Sequence, residues 1–160
     1  MEIIIFIVIA AFIGMLIAGA TNKIVIYYDV SDLFISIAPW VILLIPNFLG
    51  LVEPHSFFWY VLNCISVIFA LWSIKLSIDY NRNLVLGLFV GIFKLSAALL
   101  GVLVVFDKLL TLEDKDSSAS DTIKAMLVLA IVGWISKILI NGEQVYLEKG
   151  WELPEKVEES

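Results

Sequence analysis

Lys94 is the only ionisable side chain in the 23 residues from Leu84 to Phe106. As a helix this stretch covers about 34 Å at ~1.5 Å per residue, enough to cross the ~30 Å hydrocarbon core of a bilayer. A lysine there costs ~2.5–3.5 kcal/mol on insertion scales, so something in the chain must hold it. Gly87, Gly91, Lys94, Ala98 and Gly101 recur at alternating spacings of four and three, so they share one helix face. That face is the smallest one, where a second helix can approach most closely.

The preceding apolar segment supplies a polar stripe with the same alternation: Asn63, Ser66, Ala70, Ser73 and Ser77. A short turn around Arg82 makes the two segments antiparallel neighbours. Helical side chains lean toward their own N-terminus, so the Lys94 ammonium is expected at the depth of Ser73, with Ser66 beyond Ala70. No acid falls within the segments read as spans, because Glu2, Asp79 and Asp107 sit at ends, and a direct buried ion pair is not expected. Three roles then compete for Lys94. It snorkels or is satisfied by Ser73 and backbone carbonyls, with structural value only; it is strained in one packing and hydrated in another, and so responds to the bilayer; or several copies form a ring lining a pore or an anion path.

Other chemistry is scarce. The single histidine, His55, sits in the turn Glu53-Pro54-His55-Ser56 and reads as solvated, and the single cysteine, Cys64, cannot form an intrachain disulfide. There is no phosphate-binding glycine loop, metal-ligand cluster or nucleophile–base pair, so a catalytic site, a cofactor site and a metal site are not expected. The chain is 61% hydrophobic and 16% charged with mean hydropathy +1.01, far from a soluble domain. Its formal charge is −6, and residues 143–160 hold six acids and two lysines. No basic patch suits direct nucleic-acid binding.

The elements that position these residues follow from hydropathy. The expected fold is all-α, a polytopic membrane bundle of four or five transmembrane helices over residues 1–142, with a short acidic cytoplasmic tail at 143–160. Glu2 to Ala20 reads as a retained first span, with Ala10, Gly14 and Ala18 in one small row. Thr21 to Asp32 reads as a polar break whose tyrosines lie at headgroup depth and whose Ser31 or Asp32 caps the next helix. Leu33 to Val52 contains Pro39 and Pro46, so it is either a kinked span or a re-entrant element. Phe57 to Ile78 and Leu84 to Phe106 are spans. Asp107 to Asp121 is an exposed loop in which Ser118 and Asp121 resemble a capping box. Thr122 to Ile140 is the last span, with Gly133 on its small face and Asn141-Gly142 as its stop.

With five spans, Lys23, Lys75, Arg82, Lys137, Lys149 and Lys156 share one side, and Lys108, Lys115 and Lys124 the other. The richer side is cytoplasmic by the positive-inside rule, which puts the tail in the cytoplasm of an inner-membrane protein. In that tail Tyr146, Trp151 and Leu153 are apolar anchors among acids such as Glu148 and Glu152, the pattern of a docking surface on a small hairpin. The expected partners are lipid, further copies of the chain through the small faces, and a soluble protein at the tail; a homo-oligomeric channel or transporter with a Lys94-lined path is the alternative.

In layout, over the spans of 57–140 and the tail, the chain resembles the small multi-span membrane subunits of bacterial antiphage systems of the Kiwa type. That resemblance carries no diagnostic motif and transfers no residue. It implies an inner-membrane sensor coupled to a cytosolic nucleic-acid-binding effector.

Overall fold

A computed structural model describes residues 2–113 and 119–154. Among the described residues there are six helices: α1 (Glu2–Ala20), α2 (Val30–Phe48), α3 (Phe57–Asn81), α4 (Leu84–Glu113), α5 (Ala119–Leu139) and α6 (Gly142–Lys149). The first five are each long and apolar enough to cross a membrane. The distribution of side chains confirms the solvent they are built for. Phe57 and Leu84 are at least 70% exposed, whereas Ser36, Ser66, Ser73, Ser77, Asp32 and Lys94 are buried. A water-soluble bundle sorts its residues the other way. The chain is an all-α, multi-pass membrane protein.

α2, α3 and α4 pack against one another; α5 packs on α4, and α1 rests on α4 and α5. The α3–α4 hairpin turns through Arg82, which caps α3 in the left-handed region at φ 50°. Asn83 accepts from the Leu86 N–H at 2.9 Å to start α4. Its close approach depends on Gly87, where a Cβ would overlap the backbone of Ile78, and on Gly91, where a Cβ would meet the Ile74 Cα at 3.0 Å. Gly87 and Gly91 thus lie against α3, while Ala98 is buried and lines a cavity elsewhere on α4. Gly14, Gly101 and Gly133 do not serve as contacts within the chain, because nothing lies within 4 Å of a Cβ built on any of them.

Three expectations need correction, and one alternative is decided. The proline-containing segment takes the form of a span: α2 runs continuously through Pro39 and Pro46 and is long and apolar enough to cross a membrane. Ser66 donates to the Pro39 carbonyl at 3.0 Å, which ties α3 to α2 at that level. α4 outruns Phe106 and reaches Glu113, which shortens the expected loop; the Ser118 cap lies outside the described residues. Residues 24–28 do not form an interfacial segment. They make an extended strap inside the end of the bundle, with Ile24 to Tyr27 at most 5% exposed.

The tail, lastly, opens with a helix rather than a hairpin. Val145 and Tyr146 bury together against Val25, with Tyr28, Tyr80 and Trp151 around them. Gly150, at φ 63°, ends α6 with Gly150 N–H on the Leu147 carbonyl and Trp151 N–H on that of Tyr146. Asn141-Gly142 is accordingly a junction: α5 stops at Leu139, and α6 begins at Gly142. A Cβ at Gly142 would overlap the Tyr28 backbone.

Candidate functional site

Because the strap is extended, its peptide groups have no helical partners, and buried donors and acceptors must be met from elsewhere. Two asparagines meet them. Asn81 accepts from the Val25 N–H at 3.0 Å and donates to the Val25 carbonyl at 2.9 Å, acting as a one-residue strand partner. Asn141 accepts from the Ile26 N–H at 3.1 Å and donates to the carbonyls of Gly19 and Ile24, each at 2.8 Å. Backbone bonds complete the clasp: Tyr27 N–H donates to the Leu139 carbonyl, and the Tyr27 carbonyl accepts from Asn141 and Gly142, all at 3.1 Å.

The clasp sets the depth of Asp32. Asp29 caps α2 by accepting from the Asp32 N–H at 2.9 Å, which turns the Asp32 side chain inward. One oxygen of that carboxylate accepts from Lys94 Nζ at 2.6 Å and the other from the Tyr28 N–H at 3.1 Å. Both side chains are at most 1% exposed. The Lys94 Nζ also lies 5.7 Å from the centre of the Tyr27 ring, and Tyr27 Oη donates to the Lys94 carbonyl at 2.9 Å. Burial, with the Asp32 charge adding to it, pushes the Tyr27 phenol far above its ordinary value. Lys94 is thus enclosed by its own chain. It sits ten residues into α4, ~15 Å along the helix, and faces the end from which the strap enters.

This overturns the expectation that no acid is near Lys94. The polar break was placed too late: α2 starts at Val30, so Asp32 belongs to its first turn. Ser73 does not hold the ammonium. It shares a hydrogen bond with Ser36 Oγ at 2.8 Å, and the Ser36 hydroxyl also approaches the Asp32 carbonyl at 2.9 Å. Ser66 serves Pro39, and Asn63 turns back on the Trp59 carbonyl at 2.7 Å. Ser73 and Ser66 therefore tie α3 to α2, the former one turn from Asp32, while Asn63 and Ser77 bond within α3. Asp32, Ser36, Tyr27, Asn81 and Asn141 are the site residues the sequence reading missed. The available signal was Asp32 with Ser36 one turn on, both polar at the start of an otherwise apolar helix.

No protein-family model, curated protein or solved structure matches the chain.

The continuation of the site toward the tail is aromatic. Tyr28, whose N–H binds Asp32, stacks on Tyr80 at 4.8 Å and meets the edge of Tyr146 at 5.4 Å. Tyr146 donates to the Tyr80 carbonyl at 3.1 Å and packs on Trp151. Burial raises the Tyr146 phenol above its ordinary value. The Arg82 guanidinium lies 4.9 Å from the centre of the Trp151 ring and 5.8 Å from that of Tyr146. Of the anchors expected to dock a partner, Tyr146 is spent inside the chain and Trp151 is half-buried. Glu148 accepts from Asn22 at 2.7 Å, while Leu153 and Glu152 remain exposed, joined by Leu147. Lys149 Nζ donates to the Lys23 carbonyl at 2.8 Å, tying the last turn of α6 to the strap.

Proposed function

We propose that this protein is a non-enzymatic inner-membrane subunit in which a buried charge pair couples the state of the bilayer to the posture of α6. One observation carries the reading. The Asp32 carboxylate binds Lys94 at membrane depth and Tyr28 in the strap, and the strap carries α6. A change that hydrates or separates the pair frees the strap from both sides at once. A thinner or stretched bilayer does this by admitting water toward the charges, since the penalty that keeps Lys94 and Asp32 together is loss of hydration.

The released element is α6 with its acidic tail, and its exposed Leu147, Leu153, Glu148 and Glu152 suit a soluble cytoplasmic partner with a basic, partly apolar surface. Cytoplasmic placement follows from the lysines and the arginine on that side. Gly14 and Gly133, uncovered within one chain, are where a second copy packs. A Lys94-lined channel is the weaker reading, because Lys94 faces Asp32 and Tyr27 rather than a path.

The test is the distance between spin labels at Gln144 and Lys75 in bilayers of decreasing thickness. Coupling gives a short distance in thick bilayers and a second, longer population in thin ones. A single distance in every bilayer defeats the proposal.

A further inference from the structure

The tail is fastened to the bundle a second time, away from the strap. Gly150, at φ 63°, turns the chain back at the end of α6. The Trp151 N–H then donates to the Tyr146 carbonyl at 2.9 Å, and the two rings meet edge to face at 5.3 Å. At the tip of the α3–α4 hairpin Arg82 stands at φ 50°, a conformation that glycine adopts freely and arginine does not. That turn leaves its guanidinium 4.9 Å from the centre of the Trp151 ring and 5.8 Å from that of Tyr146. Among the described residues no carboxylate pairs with Arg82, so the two rings are what its charge rests on. Lys149 also approaches the Trp151 ring, at 4.5 Å, but it belongs to α6 itself. Arg82 is therefore the cation that joins Trp151 to the bundle.

What this contact covers is the apolar side of the tail. Val145 and Tyr146 are buried and Trp151 is half-buried, all turned toward the bundle. Tyrosine and tryptophan are the side chains that most often anchor a protein interface, and here a partner reaches them only once α6 has come away. Two fastenings oppose that departure. One is the set of strap bonds from Tyr27 to Asn141 and Gly142, and the other is the Arg82 stack. They lie on different elements and share no residue, and α6 leaves only when both are broken, so their contributions add.

We propose that Arg82 is an autoinhibitory latch: its stack on Trp151 keeps the Val145, Tyr146 and Trp151 face of the tail shut against a soluble protein partner. Loosening the Lys94–Asp32 pair alone then opens that face only in part. The latch rests on the reading that α6 is the element that moves, and it adds a second lock to it. Arg82→Gly removes the cation at a position whose backbone suits glycine, so the hairpin keeps its shape. Arg82→Lys keeps a positive charge there. Trp151→Leu keeps apolar bulk and removes the ring.

The full chain is placed in lipid nanodiscs of one thickness and treated with chymotrypsin, and release of the fragment 147–160 by cutting after Tyr146 is timed by mass spectrometry. Cutting there requires α6 to leave its seat, so the rate follows the open population. Arg82→Gly should release the fragment about fivefold faster than the wild type, the size of effect one cation–ring contact gives. Trp151→Leu should do at least as much, and Arg82→Lys should recover part of the wild-type resistance. Arg82→Gly should add little to Trp151→Leu but should multiply the rate again in Lys94→Met. Equal rates in the wild type and Arg82→Gly overturn the latch without touching the charge-pair reading, which the spin-label distances test separately. A full fivefold gain from adding Arg82→Gly to Trp151→Leu also overturns it, because the two side chains then act apart. So does a fast Arg82→Gly that unfolds at a lower temperature, because the arginine then holds the fold rather than the tail. A fast, stable Arg82→Gly beside an unchanged Lys94→Met supports the latch and defeats the charge pair as the means of release.

Discussion

Lys94 and Asp32 are expensive residues to keep at 0% and 1% exposure, and the pair is maintained only because each partner cancels the other's desolvation. Removing one leaves the other's buried charge uncompensated, although Asp32 keeps the Tyr28 N–H and Lys94 the Tyr27 ring. Lys94→Met or Asp32→Asn alone should lower stability by about 3–5 kcal/mol, whereas Lys94→Met with Asp32→Leu should recover most of that loss. Thermal unfolding of the four proteins in one detergent checks this, and a double variant as unstable as the sum of the singles would refute it. Lys94 was legible in the sequence as the residue that needed explaining, because an ionisable group in the middle of an apolar run has few uses. Asp32 was not, because membership of a helix depends on where the helix starts. That start is set by the strap and by the Asp29 cap, through contacts distant in sequence.

At the scale of elements, the sequence exposed the five apolar helices and the α3–α4 hairpin, since length, hydropathy and glycine spacing are local properties. It hid the strap, whose apolar residues look interfacial until Asn81 and Asn141 are seen to supply its missing partners. It also hid the helix at the tail, because Val145 and Tyr146 gain their burial from Val25 and Tyr28, over a hundred residues away. Asn81→Leu should therefore cost about 1–3 kcal/mol for each strap group left unmet, and faster hydrogen exchange at the Val25 amide, with Ile26 still held by Asn141, should mark where the loss falls. Glycines separate the two kinds of small face. Gly87→Ala should destabilise by about 1–3 kcal/mol by wedging α4 from Ile78, while Gly133→Ala should be neutral or gain up to ~1 kcal/mol of helix propensity. Equal effects at both positions would mean that the α3–α4 face is misassigned. The buried phenols of Tyr27 and Tyr146 add a pH dependence. Both are raised above the ordinary value of 10.0 in the folded chain, so their contribution is complete below about pH 10 and fades as pH rises further, when the unfolded chain ionises first. Unfolding temperature should hold to about pH 10 and then fall, with a smaller fall in Tyr146→Phe.

Across the whole molecule, the polar groups are gathered at one end. Asp32, Asn81, Asn141, Tyr27, Tyr28 and Tyr146 join all six described helices there, while further along the bundle Ser66 on Pro39 and Trp40 on Leu95 are isolated polar contacts among apolar ones. A perturbation at this end has a route to α6, and one at the far end does not. The most direct measurement is hydrogen exchange at the amides of residues 145–151 in Lys94→Met, in a bilayer in which the bundle stays folded. Coupling through the charge pair predicts that exchange in α6 rises several-fold, although Lys94 bonds to Asp32 and Tyr27 and not to α6, and that Lys94→Met with Asp32→Leu brings it back toward the wild type. Unchanged exchange in α6, with slower-exchanging bundle amides also unchanged, would contradict that coupling and leave the pair as a local fastening between α2 and α4.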